Sequence, residues 1–307
     1  MRVAVLGPGG VGGLIAGVLD RAGTEVVVVA RESTAAVIAQ DGVRVRSVKF
    51  GELVAHPHAV AMLEAPVDAL IVATKASGLA PALERVAVEP TVVLPLLNGL
   101  DHLAVLRERF PAGSVLAGSI RVEADRPQPG VVVHTSNFLL VSMASAEPAV
   151  HPAMRALADA LSQAGVPVQV LDSEADVMWS KLVRLNALAC VTSAYDVLLG
   201  EIHSTPRLRA DLVGAIEEAC AVGRAEGARD IDPAKAIAEL DAAHDTLGSS
   251  MQRDIAAGRV PELDAIPGSV LRAGDRHGIE CPTIERLVET IVERARGLGI
   301  AVEPVAR

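Results

Sequence analysis

The apolar run Val3-Ala-Val-Leu6 leads straight into Gly7-Pro8-Gly9-Gly10-Val11-Gly12, and apolar residues at helical spacing (Leu14, Ile15, Val18, Leu19) follow at once. Strand, glycines and helix in that order give each glycine a physical task. Gly7 permits the tight turn, Gly9 lets the backbone approach a pyrophosphate, and Gly12 lets the helix pack close to the strand. The first helical N–H groups and the positive end of the helix dipole then face the phosphates. The chain is therefore expected to open with an α/β, Rossmann-type dinucleotide-binding domain. Gly7, Pro8, Gly9, Gly10, Val11 and Gly12 are its expected cofactor contacts.

The second strand, residues 25–30, bears on which dinucleotide is bound. It is a valine run ending at Arg31-Glu32-Ser33. A carboxylate about 20 residues past the glycines would hold a ribose 2′-hydroxyl and indicate NAD. Arg31 at the strand tip can instead fork onto a 2′-phosphate. NADP is expected over NAD, with Glu32 able to take the NAD role if the register slips by one.

At 307 residues the chain is long enough for two domains, each with its own core. Half of it is apolar and only 2% aromatic, so those cores must be built from Ala, Val and Leu. It has no uninterrupted apolar stretch of the ~18 residues a membrane helix needs. The apolar start is broken by Pro8 and the glycines with only Arg2 ahead of it, which argues against a signal peptide. A net charge of −10 without a basic run argues against a nucleic-acid partner. Cys190, Cys220 and Cys281 are scattered, with no metal-ligand spacing, and read as reduced thiols of a cytoplasmic protein.

The first half alternates β-rich and helical runs, as a doubly wound sheet does. Residues 43–48 and 53–55 read as a hairpin, and 69–74 and 91–97 as buried strands. Residues 115–120, 130–134 and 138–143 are expected to finish the same sheet in mixed orientation. A helix over 153–164 and a last strand over 167–171 follow. Beyond residue 172 the pattern is helical: 179–199, 206–226, 233–247, 268–276 and 284–298. The expected domains are 1–172, an NADP-binding Rossmann-type domain, and 173–307, a helical substrate and dimerisation domain. Substrate is expected in the cleft between them. The apolar helices between 187 and 216 could be a dimer surface or interior.

Four segments carry groups able to do chemistry. Thr74-Lys75 and Asn98-Gly99 fall at the carboxyl ends of successive strands, the edge where doubly wound sheets bind ligands. Lys181 lies early in the first helix of the second domain, and Ser249-Ser250-Met-Gln-Arg-Asp254 is followed by Glu262-Leu-Asp264.

With these pieces the chain resembles the ketopantoate reductase (2-dehydropantoate 2-reductase) family over essentially its whole length. The matching residues are Val5 to Gly12, Val29-Ala-Arg31, Val72-Ala-Thr-Lys75, Leu97-Asn98-Gly99, Trp179-Ser-Lys181, Ser249-Ser-Met-x-x-Asp254 and Glu262-Leu-Asp264. Pro129-Gly-Val131 with His134 matches a weaker signature. The resemblance implies NADPH-dependent reduction of a small-molecule 2-oxo acid on a two-domain fold. It implies that Gly7 to Gly12 cradle the pyrophosphate, Arg31 holds the 2′-phosphate, and Ala124 is a minor cofactor contact. It also places Lys75 and Asn98 at the nicotinamide ribose, Asn98 against substrate as well, Ser250 on the substrate carboxylate, and Glu262 on substrate and ribose. Lys181 would be the general acid. Hydride delivery to C2 of a 2-oxo acid creates an alkoxide, which a positioned ammonium can stabilise and protonate.

The match fails just after Lys181. The family pattern has asparagines four and eight residues on, where this chain has Leu185 and Ala189. Asn186 is turned roughly 140° from Lys181 on a helix, whereas Arg184, within about 60°, could offer a replacement cation. Arg121 could do so from the sheet domain. Losing two polar contacts relaxes discrimination for a substrate hydroxyl. Ketopantoate is the leading substrate. The alternatives are a more apolar 2-oxo acid or imine on the same scaffold, and a catalytically silent NADP-binding regulator.

Overall fold

The computed structural model of the chain describes residues 1–303, 305 and 306. The chain divides into two units, Met1–Leu97 with His102–Val177, and Asn98–Asp101 with Met178–Arg307. The division falls at Val177/Met178 rather than at residue 172, and four residues from within the first half group with the helical unit.

The first unit carries strands β1 (Arg2–Leu6), β2 (Glu25–Val29), β3 (Val43–Ser47), β4 (Gly51–Ala55), β5 (His58–Val60) and β6 (Ala69–Val72). It continues with β7 (Val92–Pro95), β8 (Ala117–Arg121), β9 (Ala124–Gln128), β10 (Val131–His134), β11 (Leu140–Ala144) and β12 (Val168–Val170). A parallel sheet in the order β5-β2-β1-β6-β7 forms its centre. Helices α1 (Gly10–Arg21) and α2 (Glu32–Asp41) follow β1 and β2. Successive residues point to opposite faces, and both faces are buried. Val3, Val5, Ala69 and Ile71 join one apolar cluster, while Ala4, Leu6, Leu70 and Val72 join the other. This two-sided burial explains why these strands are apolar without alternation.

The later strands do not finish that sheet. They form two further sheets, β4-β3-β10-β9 and β12-β11-β8. The reason is visible in β3, whose side chains alternate between buried and exposed. A strand with one polar face does not suit the interior of a sheet covered on both sides. Two strands also go beyond the sequence reading: β5 is only three residues long, and β9 (Ala-Asp-Arg-Pro-Gln) is largely polar.

After α3 (Leu79–Leu83), α4 (His102–Arg109) and α5 (His151–Gln163), the chain enters α6 (Glu174–Tyr195). It starts earlier than expected and ends at Asp196, whose φ of +56° turns the chain out of the helix. Helices α7 (Leu199–Ser204), α8 (Pro206–Ala225), α9 (Pro233–Asp241), α10 (Ser250–Ala256), α11 (Ser269–His277) and α12 (Pro282–Gly297) follow. The stretch expected to be helical up to residue 247 ends at Asp241, because the carbonyls of Asp245 and Leu247 accept from Gly200 and Leu199 at the start of α7. Ala187, Cys190, Val191, Leu212, Ala215 and Ile216 are fully buried, so these apolar residues are interior, whereas Leu198 between them is exposed. All three cysteines are buried and none forms a disulfide. Among the described residues no helix is long and apolar enough to cross a membrane.

His134 ties β10 to β3 from inside the first unit. It is 1% exposed, with Nδ1 2.8 Å from Ser47 Oγ and Nε2 3.3 Å from Ser136 Oγ. Burial, and then the charge of Lys49, hold its pKa below the ordinary histidine value of 6.5. As pH falls below that value the unfolded chain takes up the proton before the folded one, so stability drops across the window down to the depressed folded value. Between about pH 7 and about pH 5 the wild-type Tm should fall more steeply than that of His134→Gln, as measured by circular dichroism. Parallel curves would remove His134 from the acid sensitivity.

Candidate functional site

In the first unit the cofactor-type site is built by backbone. Gly7 has a φ of +89° and donates its N–H to Val29 O at 3.1 Å. A Cβ on Gly7 would sit 2.7 Å from Thr74 Cγ2, and one on Gly12 would run into the Gly7 carbonyl oxygen. Turn and helix can close only on glycines here. The carbonyl of Ala124, the first residue of β9, packs against Gly10, so Ala124 borders the same turn. Gly9 differs: the nearest atom to a Cβ there is Ala73 O at 4.0 Å, which leaves that side of the loop open. Helix α1 has no side-chain cap and no acid in its first turn. Its leading amides, which a helix cannot satisfy internally, are thus left for an anion. Thr74 Oγ1 is buried with no hydrogen-bond partner among the described residues. Open loop, uncapped amides and orphaned hydroxyl together fit a dinucleotide.

At the tip of β2, Arg31 and Glu32 differ in their surroundings. Glu32 lies 3.0 Å from Arg85 Nη1, and the hydrogen bond from Arg85 holds its carboxyl below the usual range. Arg85 is itself anchored to the Ala61 carbonyl. Arg31 precedes α2 in extended backbone and is exposed, with no side-chain partner among the described residues. The cation is therefore available at the strand tip and the carboxylate is engaged. Lys75 is exposed at the start of a short turn, Ala76–Gly78, after β6.

In the second unit three expected site residues meet. Lys181 Nζ donates to Asn98 Oδ1 at 2.8 Å, and Asn98 Nδ2 donates to Glu262 Oε2 at 3.3 Å. Backbone fit sets this arrangement. Pro267 has no N–H to offer, so the helical turn after Glu262 widens and Gly268 N donates to Leu263 O five residues back. Gly99, with a φ of +84°, packs directly on the Ala265 carbonyl in that wide turn, where any side chain would clash.

The other expected residues fare differently. Ser249 caps α10, accepting from Gln252 N at 3.0 Å and from Thr192 Oγ1 of α6 at 2.8 Å. Ser250, the partly buried first residue of α10, therefore belongs near the Thr192 end of the helix face that carries Lys181. Leu185 and Leu188 lie between, each within about 40° of Lys181 around the helix. Arg184 is not a free replacement cation, since its Nη1 is 2.5 Å from Glu239 Oε2. Asn186 is wholly buried, so it does not substitute for the missing asparagines. Sequence reading did not single out Asp101 and Arg272, which lie beside this cluster and whose side chains pair.

A glycine-built dinucleotide turn and a lysine–amide–carboxylate cluster define an NADP-dependent oxidoreductase acting on a CH–OH group. Residues 3–144 match the ketopantoate reductase PanE/ApbA family, and residues 175–295 match the C-terminal region of the same family. The 2-dehydropantoate 2-reductase of Mycobacterium tuberculosis (strain ATCC 25618 / H37Rv) is 31% identical over 309 residues, 97% of this chain and 99% of that one. A crystal structure of a PanE/ApbA family ketopantoate reductase from Ralstonia eutropha JMP134 superposes with a TM-score of 0.84. It is 27% identical and covers 97% of this chain and 100% of its own. D-mandelate dehydrogenase, solved with NADH and anilino(oxo)acetate, superposes with a TM-score of 0.88 over 98% of this chain and 100% of its own. At 24% identity that likeness speaks for the fold alone. The chain belongs to the ketopantoate reductase family.

Replacing Arg31 by Ala should raise the NADPH Kd about 10–100-fold, the range expected for a lost charged hydrogen bond. NADH binding should stay within about threefold, since that ligand has no 2′-phosphate. Fluorescence titration with both nucleotides checks this, and equal effects on the two would exclude the 2′-phosphate role.

Proposed function

We propose that the chain reduces a 2-oxo acid to the 2-hydroxy acid with NADPH, ketopantoate to pantoate being the leading reaction. The observation that carries this is the hydrogen-bonded line Lys181–Asn98–Glu262. The domain roles follow: the sheet unit holds NADP through Gly7 to Gly12, Arg31, Lys75 and Ala124, and the helical unit handles substrate. Bound there, the nicotinamide supplies the hydride. Lys181 holds its ammonium at the substrate's carbonyl oxygen, stabilises the developing alkoxide and protonates it. Asn98 accepts one N–H of that ammonium, which fixes its direction, while its own amide is oriented by Glu262. Ser250 is assigned to the substrate carboxylate. Buried cysteines outside any disulfide suit a reducing cytoplasm.

A second reading is favoured by the face of α6. Between Lys181 and the Ser249–Thr192 contact it carries Leu185 and Leu188, and Arg184 is paired with Glu239. A substrate hydroxyl facing that surface would give up water without a partner, at a cost of about 1–3 kcal/mol. A 2-oxo acid with a purely apolar tail avoids the cost.

NADPH oxidation followed at 340 nm separates the two readings. Ketopantoate should be compared with 3,3-dimethyl-2-oxobutanoate, which is the same molecule without its hydroxyl. Higher kcat/KM for ketopantoate supports the first reading, higher kcat/KM for the analogue supports the second, and NADPH binding without turnover of any 2-oxo acid overturns both. Leu185→Asn should move the ratio toward ketopantoate by about tenfold. Lys181→Ala should lower kcat by about 100-fold or more while the NADPH Kd stays within about threefold. An unchanged kcat would take the general-acid role from Lys181.

A further inference from the structure

Arg272, on α11, joins three chain segments with a single guanidinium. Its Nη2 donates to Asp101 Oδ2 at 2.6 Å and to the Asp264 carbonyl at 2.7 Å. Its Nη1 donates to Asp264 Oδ1 at 2.7 Å and to the Ala306 carbonyl at 2.6 Å. Asp101 lies three residues after Asn98, and Asp264 two residues after Glu262. The arginine side chain is 19% exposed against 46% and 72% for the two carboxylates, so the cation is the inner member of the triad. Without it, two carboxylates that converge on one point would face each other as like charges.

We infer that Arg272 is a positioning residue, a fork that holds the Asn98 turn against the Glu262 segment and thereby sets the line Asn98 presents to Lys181. The inference rests on the proposed role of Lys181, Asn98 and Glu262. Three features make the fork suited to this task. It bonds the side chain of one segment and both side chain and backbone of the other, which fixes distance and direction together. The contact between Gly99 and the Ala265 carbonyl joins the same two segments, Gly99 lying just before Asp101 and Ala265 just after Asp264, so backbone and side-chain restraints act on one pair of segments. Planar, bidentate geometry is something arginine supplies and lysine does not. The Asn98–Glu262 hydrogen bond is 3.3 Å, longer than the 2.8 Å bond to Lys181, and the fork adds a charged restraint on the same segments.

The test uses the full chain and the variants R272Q, R272K and D101N, with K181A as control. D101N leaves the bonds from Arg272 to Asp264 and Ala306 in place and, by removing the charge that Nη2 meets, weakens only the hold on the Asn98 turn. Single-turnover NADPH oxidation should slow about 10–100-fold in R272Q, the scale of an ångström-sized misplacement. KM for the oxo acid and the NADPH Kd should stay within about threefold, because Ser250, Arg31 and the glycine turn, assigned to the charged groups of both ligands, are untouched. R272K should recover part of the rate, and D101N should slow it in the same direction. In the cofactor-free protein, amide hydrogen exchange over residues 98–101 should quicken in both R272Q and D101N. A folded R272Q, or a folded D101N if R272Q does not fold, that turns over within twofold of wild type while K181A is crippled overturns the positioning role. Equal loss in R272K and R272Q, with KM rising in step, also overturns it and leaves a purely structural arginine. Normal turnover in K181A itself would sink the catalytic reading, and this inference with it.

Discussion

The hydrogen-bonded line from Lys181 through Asn98 to Glu262 is the interaction on which the rest of the helical unit converges. Its partners are 83 and 164 residues apart in the chain, so no local preference can assemble them. Each is brought in by a different device. Lys181 is placed by the long helix α6, Asn98 by a turn that only glycine at 99 permits, and Glu262 by a helical turn that Pro267 forces wide. A side-chain amide suits the centre of such a line because it offers an acceptor to the ammonium and a donor to the carboxylate at once. A carboxylate in place of Asn98 would face Glu262 as a like charge, and an aliphatic residue would remove both hydrogen bonds of the line.

The cofactor end of the molecule works by the opposite means. There the sequence supplies almost no side-chain chemistry, and the binding surface is backbone: an uncapped helix, a positive-φ turn and an open loop at Gly9. Charge enters at Lys75 and at the tip of β2, where neighbouring residues of opposite sign compete. Arg85 settles that competition by engaging Glu32, which leaves the exposed Arg31 as the cation at the strand tip. An ion pair so exposed adds little stability. Its consequence is directional, deciding which charge remains for a ligand.

Much of this was legible in the sequence, and what was not failed for identifiable reasons. The parallel sheet was readable because strands buried on both faces must be continuously apolar, as in Val26 to Val29 and Ala69 to Val72. The later strands were read as its continuation, whereas they form sheets of their own; their one-sided pattern was present in Val43 to Ser47, but which strand pairs with which is a long-range matter. Lys181, Asn98 and Glu262 were recognisable by type and spacing, as was the loss of polar residues at Leu185 and Ala189. Arg184 looked available because helical geometry puts it near Lys181; its pairing with Glu239 of α9 depends on how two helices pack. Arg272 carried no signal, since an arginine in an amphipathic helix reads as a solvated charge until its partners are known.

By itself the sequence determined the glycine turn, the buried valine strands, the helical second half and the residue types able to move a proton. These are consequences of steric limits at Cβ, of apolar periodicity and of functional-group chemistry, all of which act over a few residues. The tertiary structure alone decided that Asn98–Asp101 belongs with the helical unit and that the strands divide among three sheets. It likewise decided that Arg31 and not Glu32 is left free, and that one guanidinium joins Asp101 to Asp264. Those outcomes depend on which distant groups share the same space, and a charge or a hydrogen-bonding group has no assigned partner until packing brings one within about 3 Å.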